Sequence, residues 1–316
     1  MTLQQLRQVL TIAESNSMNE AAKKLFVSQP NLSATVREVE EELGITVFMR
    51  NNRGITVTAE GEEFLGYAKQ VVEQYHLLEN RYLNVESKKK FSVSMQHYSF
   101  AVKAFVQLAK EVGMDEYEFA VHETKTKEVI DNVKNLKSEI GVLYLSDFNE
   151  KVLRKLFKEC DIEFKELFTC NTYVYLWKKH PLAGQKEITL DDLQEYPCLT
   201  FEQGVNNSFY YAEEMMSTYE YKRVIKADDR ATMLNLMVGL NGFTLCSGII
   251  SEDLNGDDYA AIPLKESEIM HIGYIKHKGT KLSKLGEIYI DALKNYENKV
   301  CLLYTSPSPR DLSTSR

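Results

Sequence analysis

The sequence predicts an α-helical N-terminal region followed by an α/β region. Apolar residues recur at helical spacing through about residue 87, and strand-like and helix-like segments alternate after residue 90. A polar, charged stretch at residues 86–90 separates the two patterns. We therefore expect domains at residues 1–58, 59–87 and 88–300.

The N-terminal region begins with an amphipathic helix. Its expected buried face consists of Leu3, Leu6, Leu10 and Ala13, which recur at steps of three, four and three. This helix is predicted to pack on the two helices that follow it, so that the three share one small core.

Residues 17–44 carry the signals of two short helices joined by a tight turn. Ser17 and Glu20 have the spacing of a capping box at the start of the first helix. Ser28 is expected to cap the second helix, with Pro30 in its first turn and Gly44 at its end. The buried stripe of the second helix is predicted to be Leu32, Val36, Val39 and Leu43.

The opposite stripe of the second helix is polar. It consists of Gln29, Ser33 and Arg37, spaced by four residues. Side chains of these types reach base edges and phosphates when a helix lies in the major groove of DNA. Two buried helices of an ordinary domain are the alternative explanation of the pair.

A β-hairpin is predicted after the helix pair. Two β-prone runs at residues 46–49 and 55–57 flank the sequence Asn-Asn-Arg-Gly at residues 51–54. In a winged helix such a hairpin reaches the minor groove or the backbone, so Arg50 and Arg53 are expected to contact DNA. Taken alone, Arg53 is better explained as a residue that solubilises a turn.

A long helix is predicted from Ala59 to about Ser87. Apolar residues recur along it at heptad steps, which predicts a seam that packs against a partner helix. The seam consists of Phe64, Ala68, Val71, Tyr75, Leu78 and Tyr82. Packing within the same chain is the alternative.

These residues carry a family resemblance. The sequence SMNEAAKKLFVSQPNLS at residues 17–33, with LGITVFMR at 43–50 and TAEG at 58–61, closely resembles the N-terminal winged helix-turn-helix domain of LysR-type transcriptional regulators. The resemblance implies that the long helix dimerises the protein, that dimers assemble into a homotetramer, and that an inverted-repeat operator in double-stranded DNA is bound. The expected DNA contacts are Ser28, Gln29, Pro30, Ser33, Arg37, Arg50 and Arg53.

The region after residue 90 alternates strands with helices. Strands at 91–95, 117–123 and 140–145 alternate with helices at 100–112 and 127–136, which predicts a parallel sheet. A second unit is expected from about Phe164, and the chain is expected to return to the first near Pro263. Subdomain I would then comprise about 91–163 and 264–300, and subdomain II about 164–263.

Five segments of this region are similar to the LysR-type effector domain, at residues 179–183, 188–193, 196–197, 227–233 and 238–244. The similarity implies two subdomains like those of periplasmic binding proteins, with a small-molecule effector between them. Loops at the carboxyl ends of strands are the expected site. The candidate residues are His97, Tyr98, Ser99, Thr124, Thr126, Thr200, Phe201, Phe243 and Thr244. Ser99 and Thr126 would hold a carboxylate at helix N-termini, or serve only as N-caps.

Composition excludes several functions. The net charge is −8, so DNA contact depends on locally placed Arg and Lys. The five cysteines form no C-x-x-C and no metal-ligand spacing, which predicts no metal, no cofactor and a cytoplasmic location. No apolar run is long enough to span a membrane. Motifs of hydrolases, metalloproteases and nucleotide-binding enzymes are absent, which favours a protein that is not an enzyme.

Two alternatives to the small-molecule regulator remain open. One is a thiol-based redox sensor that uses Cys198, and the other is a cytoplasmic solute-binding protein without DNA function. The segment 301–316 is rich in Ser, Pro, Thr and Arg, resembles sequencing-adapter read-through, and is expected to be non-native or disordered.

Overall fold

The computed structural model describes residues 1–15, 17–51, 54–82, 88–113, 116–204, 208–250 and 252–296. The chain divides into two compact units, Met1–Lys88 and Lys89–Arg316. The predicted tail at 301–316, the end of the predicted long helix at 83–87 and the hairpin residues 52 and 53 lie outside the described residues. None of the described helices is long and apolar enough to cross a membrane.

The first unit is a three-helix domain with a β-hairpin and a long helix. Its elements are α1 (Leu3–Ala13), α2 (Met18–Lys24), α3 (Gln29–Leu43), β1 (Phe48–Asn51), β2 (Gly54–Val57) and α4 (Ala59–Tyr82). β1 and β2 pair antiparallel, with Phe48 opposite Val57 and Asn51 opposite Gly54. The core of this unit includes Val9, Ile12, Ala21, Leu32, Val36, Val39 and Val47.

The predicted helix ends in this unit agree with the structure. The Ser17 hydroxyl accepts a hydrogen bond from the Glu20 amide, and the Ser28 hydroxyl accepts one from Asn31. Gly44 ends α3 at a φ of 71°, a left-handed conformation that glycine adopts without steric cost. These signals are local, and the sequence alone determines them.

Two predicted buried faces need correction. The buried residues of α1 are Leu6, Val9 and Ile12, whereas Leu3 and Leu10 are half-buried and Ala13 is exposed. The apolar residues of α1 form two overlapping stripes along the helix. Packing against α2 and α3 buries the stripe that contains Val9. Leu43 is exposed because it lies in the last turn of α3, beyond the domain core.

The second unit contains two subdomains. Subdomain I is built on a five-stranded sheet in the order β4-β3-β5-β12-β6. Its strands are β3 (Lys89–Met95), β4 (Tyr117–Glu123), β5 (Ile140–Leu145), β6 (Ile162–Asn171) and β12 (Ile269–His277). Its helices are α5 (Ser99–Val112), α6 (Thr126–Lys134), α7 (Glu150–Glu159) and α11 (Lys284–Lys294).

This sheet is mixed, although the sequence pattern predicted a parallel one. β3 pairs parallel with β4 and β5, as their strand-helix-strand connections require. β12 is antiparallel to both β5 and β6. The boundary predicted at Phe164 is therefore wrong: residues 164–171 belong to β6 of subdomain I, because they pair with β12 from far along the chain.

Subdomain II lies between β6 and β12 in the sequence. Its strands are β7 (Tyr173–Trp177), β8 (Cys198–Phe201), β9 (Val224–Ala227), β10 (Thr244–Cys246) and β11 (Tyr259–Pro263). Its helices are α8 (Leu190–Leu193), α9 (Arg230–Leu240) and α10 (Glu252–Asn255). β10 and β11 flank β7 antiparallel, and β8 pairs parallel with β9. A bridge between Cys198 and Phe243 connects these two small sheets.

The predicted fold class is confirmed by this architecture. A helix-turn-helix unit with a hairpin and a long helix precedes an α/β unit of two subdomains. Two crossing segments join the subdomains, and they contact each other: the Ser267 hydroxyl accepts a hydrogen bond from the Thr172 amide. Each subdomain has its own apolar core.

Candidate functional site

The polar face of α3 is the first candidate site. The side chain of Gln29 donates to the Ser33 hydroxyl at 2.8 Å, so these two residues lie together on one face. Arg37 is exposed one turn further along that stripe, and Pro30 is exposed in the first turn. The capping hydroxyl of Ser28 fixes where the helix begins. The side chain of Arg50 and the whole of Arg53 lie outside what the structure describes.

Glu40 connects α3 to the hairpin. One of its carboxylate oxygens accepts hydrogen bonds from the backbone amides of Val47 at 2.7 Å and Phe48 at 3.0 Å. The sequence showed Glu40 only as one member of an acidic cluster from Glu38 to Glu42. Its position shows a structural role: it orients the first strand of the hairpin against the polar face of α3.

The heptad seam of α4 divides into two parts. Ala68 is buried, and Phe64 is half-buried against the core of the same unit. Val71, Tyr75 and Leu78 are exposed, although the guanidinium of Arg7 lies 5.4 Å from the centre of the Tyr75 ring. The side chain of Tyr82 is outside the described residues.

A cavity in the second unit is the other candidate site. The space that water-sized molecules can occupy in it is about 80 Å³, and the cavity opens to solvent on one side. Subdomain I contributes the loop between β3 and α5 together with Met270 of β12. Subdomain II contributes Phe201, the segment at 213–214, α9 and the residues at 244–250. A molecule in this cavity therefore contacts both subdomains.

Five of the predicted effector contacts lie on the wall of this cavity. They are His97, Tyr98, Ser99, Phe201 and Thr244. The imidazole of His97 stacks on the Phe201 ring, with the ring centres 3.6 Å apart and the planes at 5°. This stack joins the two subdomains at one edge of the cavity.

Four predicted effector contacts lie elsewhere. The Thr126 hydroxyl donates to the Tyr211 carbonyl and accepts from the Gln96 amide, while the Thr126 backbone amide donates to Gln203. The N-terminus of α6 is therefore occupied by protein groups. Thr124 donates to Glu128 in the first turn of α6. Phe243 is fully buried in the core of subdomain II, and Thr200 on β8 is not part of the cavity wall.

The acidic pair on the cavity wall, Glu213 and Glu214, was not among the predicted site residues. Glu213 accepts hydrogen bonds from the backbone amide of His97 at 2.9 Å and from Gln203 at 3.0 Å, and it pairs with the His97 ring at 2.8 Å. Glu214 accepts from the Phe201 amide at 2.8 Å. Burial, and then the neighbouring Glu213, raise the pKa of Glu214 to about 8. Only Met215 and Met216 beside the pair hinted that it is buried.

Cys198 and Cys246 are not placed as reactive thiolates. Cys198 is buried at the start of β8, and burial raises the pKa of its thiol well above the usual range. Cys246 lies on the cavity wall, and burial raises the pKa of its thiol to about 12. Both thiols are therefore protonated at neutral pH.

A helix-turn-helix with an exposed polar helix face, followed by a two-subdomain α/β unit with a cavity, is typical of a ligand-responsive DNA-binding protein. Residues 3–62 match the family model described as bacterial regulatory helix-turn-helix protein, lysR family, and residues 96–297 match the LysR substrate binding domain. The chain belongs to the LysR family. It is a LysR-type DNA-binding transcriptional regulator with an effector-binding domain.

Individual relatives and solved structures are similar to this chain over nearly its whole length. The HTH-type transcriptional regulator CysL of Bacillus subtilis (strain 168) is 25% identical over 308 residues, which covers 93% of this chain and 98% of CysL. Full-length OxyR from Pseudomonas aeruginosa, solved as a variant, has a TM-score of 0.67 at 19% identity and covers 93% of this chain and 95% of its own. Full-length LysG from Corynebacterium glutamicum with bound effector Arg has a TM-score of 0.62 at 13% identity, covering 95% of this chain and 99% of its own. Both structures show a shared fold.

Proposed function

We propose that this regulator reads an inverted-repeat operator with the polar face of α3, as a dimer held by α4, and that a small molecule in the cavity changes its affinity for the operator. The observation that carries the DNA contact is the shared face of Gln29, Ser33 and Arg37, two of which are joined by a hydrogen bond. A glutamine and an arginine on the face of a helix match the hydrogen-bonding groups of adenine and guanine in the major groove.

The exposed part of the α4 seam supports the dimer. Val71 and Leu78 are 51% and 56% exposed, which is costly for apolar side chains at regular heptad spacing unless another helix covers them. A dimer related by a two-fold axis places two recognition helices on two half-sites. Assembly of dimers into a tetramer is part of the proposal by resemblance to the family.

The two-subdomain wall of the cavity supports the response to an effector. A ligand that contacts both subdomains stabilises one opening angle of the cavity over the others. The thiol-sensor alternative has less support, because burial raises the pKa of Cys198 and keeps the thiol protonated. If Cys198→Ser abolished an oxidant-dependent change in DNA binding, the thiol sensor would replace the small-molecule regulator.

The test begins with selection of bound fragments from genomic DNA, followed by gel-shift titration of the recovered operator at two salt concentrations. Binding should be specific for the operator. The logarithm of the association constant should fall by about one unit per log unit of salt concentration for each phosphate contact. Arg37→Ala should weaken operator binding by about tenfold. Lys179→Ala, which removes the same charge from an exposed site in the second unit, should have no effect. Equal binding by the wild type and Arg37→Ala would show that the face is wrongly assigned.

A further inference from the structure

The cavity wall contains a hydroxyl without a partner. Thr244 is 6% exposed and lies on the wall, and its oxygen has no hydrogen-bond partner among the described residues. A buried hydroxyl normally makes at least one hydrogen bond, because leaving it unpaired is unfavourable. This hydroxyl is therefore available to a polar atom of a bound ligand.

A carboxylate of the protein itself lies beside the N-terminus of α5. The N-terminus of α5 faces the cavity, and helix N-termini favour anions. The backbone amide of His97, just before this helix, donates to Glu213 at 2.9 Å. One backbone donor at this edge of the cavity is therefore already used by the protein's own carboxylate, and Glu213 would repel a ligand carboxylate placed beside it.

The charges on the wall leave one acidic group uncompensated. Glu213 is paired with His97, whereas none of the ion pairs found between described residues involves Glu214. Arg230 is the one Lys or Arg among the described residues on the wall, and it forms an ion pair with Glu123, which is not on the wall. Among the described residues, the cavity wall therefore holds no unpaired Lys or Arg side chain. The carboxyl group of Glu214 has no positively charged partner there.

The rest of the wall is largely apolar. Apolar residues share the wall with the acidic pair, namely Phe100, Met233, Met237, Ile249, Ile250 and Met270. Methionine and isoleucine side chains accommodate the apolar body of a ligand, and methionine adapts to irregular shapes. Such a wall suits a ligand that is apolar over most of its surface and polar at one end.

We propose that the cavity selects a ligand with a protonated amino group and an apolar body, with the amino group beside Glu214. This proposal names the class of ligand for the proposed effector site, and it rests on the proposed function. Burial raises the pKa of Glu214 to about 8, so the empty cavity holds this carboxyl mostly protonated. An ammonium group supplies the counter-charge that stabilises the ionised form, and it donates hydrogen bonds to an oxygen-rich pair of side chains.

The test is isothermal titration calorimetry on the full chain at pH 7 with probes matched in shape. Phenethylamine, 2-phenylethanol and phenylacetate differ mainly in charge, as do hexylamine, 1-hexanol and hexanoate. The amine of each set should bind about tenfold or more tightly than its alcohol and its acid. Glu214→Gln, which keeps the shape of the side chain, should remove this preference. Glu220→Gln, an exposed acidic residue nearby in the sequence, should retain it.

The order of affinities in the wild type decides the proposal even if the variant fails to fold. Tighter binding of the acids, equal binding of all three classes, or no binding of either amine would overturn it, as would an amine preference that survives in Glu214→Gln. The proposed regulatory function has a separate readout, because operator binding is measured without these probes. A protein that does not bind the operator is therefore distinguishable from one that does not prefer amines over alcohols and acids.

Discussion

The ring of His97 lies 2.8 Å from the carboxylate of Glu213, and their side chains are only 6% and 4% exposed. His97 belongs to the loop between β3 and α5 in subdomain I, and Glu213 follows β8 in subdomain II. The residue just before Glu213 also contacts subdomain I, since the Tyr144 hydroxyl of subdomain I donates a hydrogen bond to the Ala212 carbonyl at 3.0 Å. The segment around Glu213 therefore connects the two subdomains beside the cavity.

Replacing Glu213 by alanine should lower the free energy of unfolding by about 2–4 kcal/mol, because the buried His97 amide and Gln203 side chain lose their acceptor. Urea denaturation followed by circular dichroism would measure the loss. Glu220→Ala removes the same charge from an exposed position and should change stability by less than about 0.5 kcal/mol. Equal stabilities of the two variants would contradict the role assigned to Glu213.

Stability should depend on pH through Glu214. Its pKa is raised to about 8 in the folded protein from a usual value near 4.5, so the folded state holds the proton more tightly than the unfolded chain. The stabilisation is complete below about pH 4.5 and is lost as pH rises towards 8, with an upper bound on the order of 5 kcal/mol. Urea midpoints at pH 5, 6.5 and 8 would reveal the decline.

Glu214→Gln should flatten this part of the pH profile, because glutamine does not titrate. The comparison is between slopes from pH 5 to pH 8, so a uniform shift of stability caused by the substitution does not affect it. If the variant keeps the slope of the wild type, other groups are responsible for the decline and Glu214 is not held protonated.

Phe26, in the turn between α2 and α3, combines two unfavourable features. Its φ is 55°, which is rarely adopted by a residue with a bulky side chain, and the ring is 96% exposed. Phe26→Asn should therefore raise the free energy of unfolding by about 0.5–1 kcal/mol, since asparagine tolerates this conformation. Phe26→Ala removes the ring but not the backbone strain, and should stabilise less. Thermal denaturation of the three proteins compares the effects, and a less stable Phe26→Asn would show that the ring makes a stabilising contact.

Local features of the fold were predictable from the sequence. Ser28, Pro30 and Gly44 mark the ends of α3 because capping and left-handed turns depend on neighbours within four residues. The polar stripe of Gln29 and Ser33 was predictable for the same reason, since residues four apart share a face of a helix. The spacing of these residues was enough to predict the recognition face.

Features that depend on distant partners were not predictable. Thr126 looked like a ligand contact at a helix N-terminus, but Gln203 and Tyr211, about eighty residues away, occupy its hydrogen-bonding groups. Residues 164–171 looked like the start of subdomain II, but their partner strand lies about a hundred residues later. Local sequence patterns do not determine which strands or side chains from distant segments pair with each other.

The exposed part of the α4 seam should decide the oligomeric state. Leu78→Asp places a charge on the apolar seam, so it should shift a dimer towards monomer in sedimentation equilibrium and weaken operator binding, because two half-sites then bind independently. Gln74→Asp adds the same charge to an exposed position of the same helix outside the seam, and should leave the dimer intact. A dimer of unchanged affinity in Leu78→Asp would show that another surface holds the subunits together. In that case Val71 and Leu78 would be covered by something other than α4 of a second subunit.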